Sequence, residues 1–218
     1  MKLYSYFRSS AAYRVRIALN LKGLDYEQVA VHLLKNGGEQ LLPEYRALNP
    51  DGLVPTLIDE AEGGMQAINQ SLAILEYLDE AYPQRPLLPD SPALRAQARA
   101  FALGIACEIH PLNNLRVLKY LTGTLGVSED QKMAWYQHWC VSGLLALESK
   151  LRQRSRQTRF CFGDEPGYAD CVLIPQVFNA LRFQCDVSGL PLIMGVHQAC
   201  AELPAFIKAQ PSEQPDAE

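Results

Sequence analysis

The residues best suited to chemistry begin with Ser9 and Ser10, at the head of the run Arg8–Lys22. Both are helix N-cap types, and the pattern behind them puts Ala11, Val15, Ala18 and Leu19 on one face, with Gly23 as the stop. Leu3–Phe7, just before, is short and aromatic-rich and reads as a strand. A strand feeding a serine-capped helix leaves unpaired backbone N–H groups at the turn. Such a place favours an anion, and a thiolate is an anion. A serine there can also do no more than cap its helix, and this segment alone leaves both readings open.

A second polar group surrounds Pro111, where His110, Asn113, Asn114 and Arg116 follow Cys107-Glu108-Ile109. Proline cannot donate to the carbonyl four residues back, so a helix here is expected to bend. On a continuous helix His110 and Asn114 would share a face, either as a site or as a solvated stripe. Arg8 follows the first strand, where open α/β sheets bind ligands, and Arg182 ends an apolar helical run. Guanidinium groups grip carboxylates bidentately, so both suit an acidic substrate; each also reads as a surface ion pair. Val54-Pro55 stands where a strand should begin. A cis bond there would turn the Val54 carbonyl and N–H toward an extended peptide; a trans bond would make it an ordinary strand-start proline.

The elements that must position these residues divide the chain. Strand patterns at Leu3–Phe7, Tyr26–Val31, Leu53–Ile58 and Gln66–Ile68 alternate with helical ones after Ser9, around Glu39–Arg46 and after Gln70-Ser71. The order is βαβαββα, with a crossover between the parallel pair and a hairpin turning at Gly63-Gly64. The fold class is therefore α/β followed by all-α. An α/β domain is expected over 1–81 and a linker over 82–92, where Pro83, Pro86, Pro89 and Pro92 stop helix and strand alike. A helical domain is expected over 93–210, with helices at Gln131–Gln153, Tyr168–Gln184 and Gln198–Ala209. A polar, disordered tail is expected over 211–218.

Composition narrows the partners. The 218 residues carry a net charge of −4, which argues against nucleic acid or an anionic membrane surface. No apolar run reaches membrane-spanning length and the N-terminus lacks a signal-peptide core, so a soluble, cytoplasmic protein is expected. The six cysteines include no C-x-x-C pair and the four histidines have no metal-ligand spacing, so neither a metal nor a dithiol centre is expected.

Read together, these motifs resemble the cytosolic glutathione transferase superfamily, and most closely its zeta class, the maleylacetoacetate and maleylpyruvate isomerases. The resemblance rests on Ser9-Ser10 with Tyr13-Arg14-Val15-Arg16-Ile17-Ala18-Leu19, Ala47-Leu48-Asn49-Pro50, Leu53-Val54-Pro55-Thr56-Leu57, Gln70-Ser71-Leu72 and His110-Pro111-Leu112-Asn113-Asn114. It implies a thioredoxin-like N-terminal domain, a helical C-terminal domain, a cis Pro55 and a homodimer. It further implies that Ser9, with Ser10, holds the sulfur of glutathione as a thiolate, that Val54 at Pro55 pairs with the peptide backbone, and that Gln70 and Ser71 hold its γ-glutamyl carboxylate. Gln40, His110, Asn114 and Arg116 match further glutathione or substrate contacts, and Arg8 and Arg182 match positions that bind substrate carboxylates.

The implied activity is glutathione-dependent cis–trans isomerisation of a small dicarboxylate, maleylacetoacetate to fumarylacetoacetate, as in tyrosine, phenylalanine or aromatic-acid breakdown. Maleylpyruvate isomerisation, transfer or dehalogenation on small α-haloacids, and non-catalytic binding are the alternatives. Three positions depart from the family pattern: Ala11 replaces the usual cysteine, Tyr13 a tryptophan, and Gly167 the Ser or Thr of a capping box completed by Asp170.

Overall fold

Leu3 and Ser5 are fully buried and Lys2 is exposed along the first strand, β1 (Lys2–Ser5), so its inner face is set by alternation. In the computed structural model, which describes residues 1–60 and 66–218, β1 pairs in parallel with β2 (Glu27–Ala30) and antiparallel with β3 (Thr56–Asp59). β3 in turn pairs antiparallel with β4 (Gln66–Asn69), giving the order β2-β1-β3-β4. The Gly63-Gly64 turn lies outside the described residues. The helices among these strands are α1 (Ser10–Lys22), α2 (Pro43–Leu48) and α3 (Ser71–Ala81), so the order βαβαββα stands.

The chain divides into two compact units: Met1–Leu87 with Glu202–Glu218, and Leu88–Ala201. In the first, α1 packs on α3, and Val15, Ile17, Leu19, Leu57, Ile74, Leu75 and Leu78 are all fully buried. A separate cluster gathers Tyr6, Phe7, Val31, Tyr45 and Val54. Helix α1 ends because Gly23 adopts φ 68, letting its N–H reach Asn20 O while Leu24 N–H returns to Leu19 O.

The second unit holds α4 (Pro92–Ala106), α5 (Leu115–Gly123), α6 (Glu129–Arg152), α7 (Tyr168–Arg182) and α8 (Pro191–Ala201). Helix α7 is buried on nearly all sides, with Cys171, Val172 and Leu173 at 0% exposure. Asp170 keeps the surviving half of the capping box. Its carboxylate accepts the Gly167 N–H at 2.9 Å and also the Cys161 N–H at 2.9 Å. Burial pushes this carboxyl up from its ordinary range, and the backbone donors offset part of the rise. The buried Glu148 of α6 accepts the N–H groups of Leu192 and Ile193, completing the first turn of α8.

Three expectations are corrected. Residues 107–114 do not bend a helix but interrupt it: α4 stops at Ala106 and Asn114 caps a new helix by accepting the Arg116 N–H at 3.1 Å. Pro111 supplies no donor, and Asn114 is a strong N-cap, so a fresh start is favoured over a kink. The single helix over Gln198–Ala209 is two, α8 and α9 (Pro204–Ala209), because Pro204 is a helix-start residue. Residues 211–218 are not a loose tail. A 3₁₀ turn at Pro211–Glu213 leads to Gln214, which donates to Lys208 O and Gln210 O, and then to Asp216, which is held by the first unit.

Candidate active site

The pairing of Tyr4 with Thr56 and of Thr56 with Asn69 sets the carboxyl ends of β1 and β4 and the start of β3 at one end of the sheet. The segments Arg8–Ser9, Val54–Pro55 and Gln70–Ser71 therefore emerge side by side, where ligands bind open α/β sheets.

Ser9 is the N-cap of α1. Its Oγ accepts the Ala12 N–H at 3.2 Å, and its own N–H donates to Tyr6 O at 2.9 Å. A serine hydroxyl has one proton and two lone pairs, so this cap leaves the O–H free to donate outward. The first turn of α1 carries no acidic residue, so the positive end of its dipole is not offset by its own side chains. Ser9 is half-buried and Ser10 buried.

Arg8 lies over the Phe7 ring at 4.7 Å and the Tyr6 ring at 5.9 Å. Its Nε is buried without a hydrogen-bond partner among the described residues. Burial pushes the Tyr6 phenol up, and the neighbouring Arg8 charge offsets part of that rise.

The Val54–Pro55 bond is cis. The turn before it is pinned from inside: the Leu53 carbonyl accepts from the Tyr45 hydroxyl at 2.6 Å and the Asn49 amide at 2.7 Å. Tyr45 also lies 2.9 Å from Thr56 Oγ1, which donates to Asn69 Oδ1. Asn49 is thus a scaffold for Val54 and has no path to solvent, being 1% exposed.

Gln70 has φ 66, a left-handed value unusual outside glycine and common at functional sites. It leaves the first turn of α3 without a capping side chain or an acidic residue. Ser71 Oγ accepts from Arg14 of α1 at 3.1 Å. Gln40 is held against Gly38, whose φ of 109 no other residue readily adopts; a Cβ there would come within 2.7 Å of Gln40 Nε2. Gln40 Oε1 is buried with no partner among the described residues. The site thus presents an uncapped helix start, which favours an anion, backbone beside a cis proline, an orphan acceptor at Gln40 and a hydroxyl at Ser9.

In the second unit, His110, Asn114 and Arg116 lie on and just after the 107–114 turn, no longer on one helical face. That turn is fixed to α6 by Trp135 Nε1 donating to Leu112 O at 2.9 Å and by Asn113 Nδ2 donating to Tyr136 O at 3.1 Å. Arg182, exposed at the end of α7, lies over Phe183 at 5.0 Å. Phe183 stacks with Tyr136 at 4.1 Å, and its carbonyl accepts from Gln137. Both polar groups therefore hang on Trp135–Gln137 of α6.

Sequence reasoning missed Arg14 and Arg16. Both are buried, at 2% and 0%, and both point inward from α1. Arg16 donates to Ser5 Oγ at 3.0 Å, Phe7 O at 3.0 Å and Ala209 O at 3.1 Å, and desolvation lowers its pKa to about 10, so it stays charged at neutral pH. Two arginines inside an otherwise apolar helical run were the available signal. Among the described residues no His, Cys, Asp or Glu cluster could hold a metal, and no helix is long and apolar enough to cross a membrane.

Comparison with known proteins finds relatives along the whole chain. Residues 3–86 match the family model described as the N-terminal domain of glutathione S-transferase. A probable maleylacetoacetate isomerase of Vibrio cholerae is 51% identical over 99% of this chain and 97% of its own. The holo structure of a maleyl pyruvate isomerase, a bacterial zeta-class glutathione S-transferase, is 47% identical over 100% of both chains, with a TM-score of 0.94. A maleylacetoacetate isomerase from Anaeromyxobacter dehalogenans, solved with glutathione in its active site, is 41% identical over 100% of this chain and 97% of that one, with a TM-score of 0.88. On this likeness along its whole length, the chain belongs to the zeta-class glutathione transferases, the family of the maleylacetoacetate and maleylpyruvate isomerases.

Proposed function

We propose that the protein is a glutathione-dependent cis–trans isomerase of a small maleyl dicarboxylate, maleylacetoacetate first. The observation that supports this reading is Ser9: its Oγ is used as an acceptor by its own helix, which leaves its proton available to donate to a ligand anion. When bound, glutathione supplies a thiolate that adds reversibly to the cis double bond and so lets the carbon–carbon bond rotate.

The chain's own part is to bind, to hold charge and to orient. Ser9 O–H and the α1 N-terminus favour the ionised sulfur over the thiol. The backbone of Val54 takes the extended peptide, and the open first turn of α3 with Gln70 takes a carboxylate. Gln40, with its unpaired Oε1, accepts from a ligand donor. Arg8 offers an unpaired Nε–H to a substrate carboxylate and to charge developing on the conjugated carbonyl. On the family resemblance, His110, Asn114 and Arg116 are proposed as further glutathione or substrate contacts, and Arg182 as a contact to a substrate carboxylate. Ser10, buried, supports the first turn of α1.

Maleylpyruvate is the second substrate to test, because the 0.94 TM-score relative acts on it by name. A homodimer and a cytoplasmic location go with this reading; light scattering after size-exclusion chromatography tests the first and cell fractionation the second. The deciding experiment follows loss of the cis-enone absorbance of each maleyl substrate with glutathione far below substrate. Full conversion with glutathione recovered is expected. Stoichiometric consumption of glutathione would replace the isomerase by a transferase, and halide release from α-haloacids would point to a dehalogenase.

A further inference from the structure

The N–H of Phe7 lies past the end of β1 and beyond the sheet ladder, one residue before Arg8 and two before Ser9. Its acceptor is Asp216 Oδ2 at 2.9 Å, 209 positions further along the chain. The other carboxylate oxygen, Oδ1, accepts from Gln28 Nε2 of β2 at 3.0 Å, which fixes the rotation of the group. Just beyond, Glu218 pairs with Lys35 and approaches His32 Nε2 at 3.5 Å, tethering the segment on its far side.

The same residue is also held at its carbonyl, in the next peptide unit. Arg16 donates to the carbonyl of Phe7 at 3.0 Å and, through Nε, to the carbonyl of Ala209 at 3.1 Å. Phe7 is thus gripped at its N–H by Asp216 and at its C=O by Arg16, with residues 204–216 supplying or anchoring both grips. Two consequences reach the ligand side. The Phe7 ring carries the Arg8 guanidinium at 4.7 Å, and the Tyr6 carbonyl takes the Ser9 N–H at 2.9 Å. A shift of the Tyr6–Phe7 peptide therefore moves both groups that face an anion.

We infer that Asp216 is a positioning residue for the Ser9 turn: by taking the Phe7 N–H, it sets the direction of the Ser9 hydroxyl and the Arg8 guanidinium. The inference rests on the reading of Ser9 as the thiolate donor. The negative charge of Asp216 acts against a nearby thiolate, but it is offset by the buried Arg16, whose positive charge it helps to retain. The acceptor, not the charge, is what the turn uses.

The test titrates the thiol of bound glutathione by its thiolate absorbance, on the full chain well below the melting temperature, beside steady-state kinetics. D216A is expected to raise the titration midpoint by about one pH unit and to lower kcat at pH 7 about tenfold. The KM for glutathione should stay within about twofold, because the carboxylate-binding end is untouched. D216N keeps an acceptor oxygen for the Phe7 N–H and removes only the charge, so it should remain within about twofold of wild type in both. Q28A, which frees the carboxylate to rotate, should shift the midpoint in the direction of D216A but less, and it carries the test if D216A does not fold. A wild-type midpoint and kcat in D216A, or in Q28A if that variant must stand in, overturn the inference even where stability falls, for the segment then only stabilises the fold. D216N as impaired as D216A also overturns it, because the charge would then be the operative feature. If S9A loses the thiolate while D216A keeps it, this inference alone fails; if wild type forms no thiolate, the reading of Ser9 fails.

Discussion

Ser9→Ala removes two things at once, and the structure allows them to be weighed separately. The cap on Ala12 N–H, at 3.2 Å, is lost. Replacing an N-cap serine by alanine costs about 1 kcal/mol, which for a chain of this size lowers Tm by about 2–4 °C. The outward O–H is lost as well. A hydrogen bond to a charged group contributes about 1.5–3 kcal/mol, equivalent to raising the bound thiol pKa by about 1–2 units. The dipole of α1 remains, because its backbone is unchanged. At neutral pH kcat should fall about 10- to 100-fold while the KM for glutathione changes less than about threefold. Ser9→Asp separates the effects: aspartate caps as well as serine, so Tm should recover, but its charge opposes a thiolate, so turnover should not. The assay is the pH titration of the bound thiol with melting curves on the same samples. An S9A enzyme with lowered Tm and an unshifted thiol midpoint would refute the argument and leave Ser9 as a cap alone.

Other perturbations probe the scaffold. A Cβ at Gly143 of α6 would come 2.4 Å from Ile109 Cγ1, and Ile109 is fully buried in the 107–114 turn. Gly143→Ala should therefore cost about 1–3 kcal/mol in urea unfolding and raise the substrate KM more than the glutathione KM. Lys22, whose side chain is 1% exposed, pairs with Asp79 at 3.0 Å and donates to Arg85 O at 2.8 Å. Lys22→Met leaves the Asp79 carboxylate buried without that cation and should destabilise by about 3 kcal/mol, read as a lower denaturant midpoint. Burial depresses His197 below its ordinary value, so the unfolded chain binds the proton more readily. This contribution is present above about pH 6.5, the ordinary histidine value, and is lost as pH falls through the folded value. The denaturant midpoint should drop between pH 7.5 and pH 5, and less in His197→Gln.

The parts of the fold that were legible in the sequence depend on near neighbours. Ser9 caps and Gly23 stops the helix between them because those effects act within one turn, and the βαβαββα order follows from local periodicity. Val54-Pro55 and Gln70-Ser71 were recognisable as motifs, but what holds them, Tyr45, Asn49 and Thr56, is a network across several elements. Arg14 and Arg16 were noted only as part of a motif; their partners, from Ser5 to Ala209, explain their burial. The 107–114 break was misread because periodicity continues through Pro111, whereas the outcome is decided by Asn114 and by anchors on α6. Residues 211–218 looked disordered because polar composition does not reveal a partner two hundred positions away.

That partner has a consequence for how the protein is made. Synthesis runs from the N-terminus, and domains ordinarily fold as units when they emerge. Here a nascent chain that has reached Ala201 already contains β1 to β4, yet it lacks the Ala209 carbonyl for Arg16 and the Asp216 carboxylate for Phe7. A buried guanidinium then has one acceptor too few, and the peptide before Ser9 has no fixed place. The Ser9 turn, proposed above to hold the thiolate, is among the first residues translated and among the last to be finished, so a stalled or incomplete chain displays the sheet with that turn unfixed.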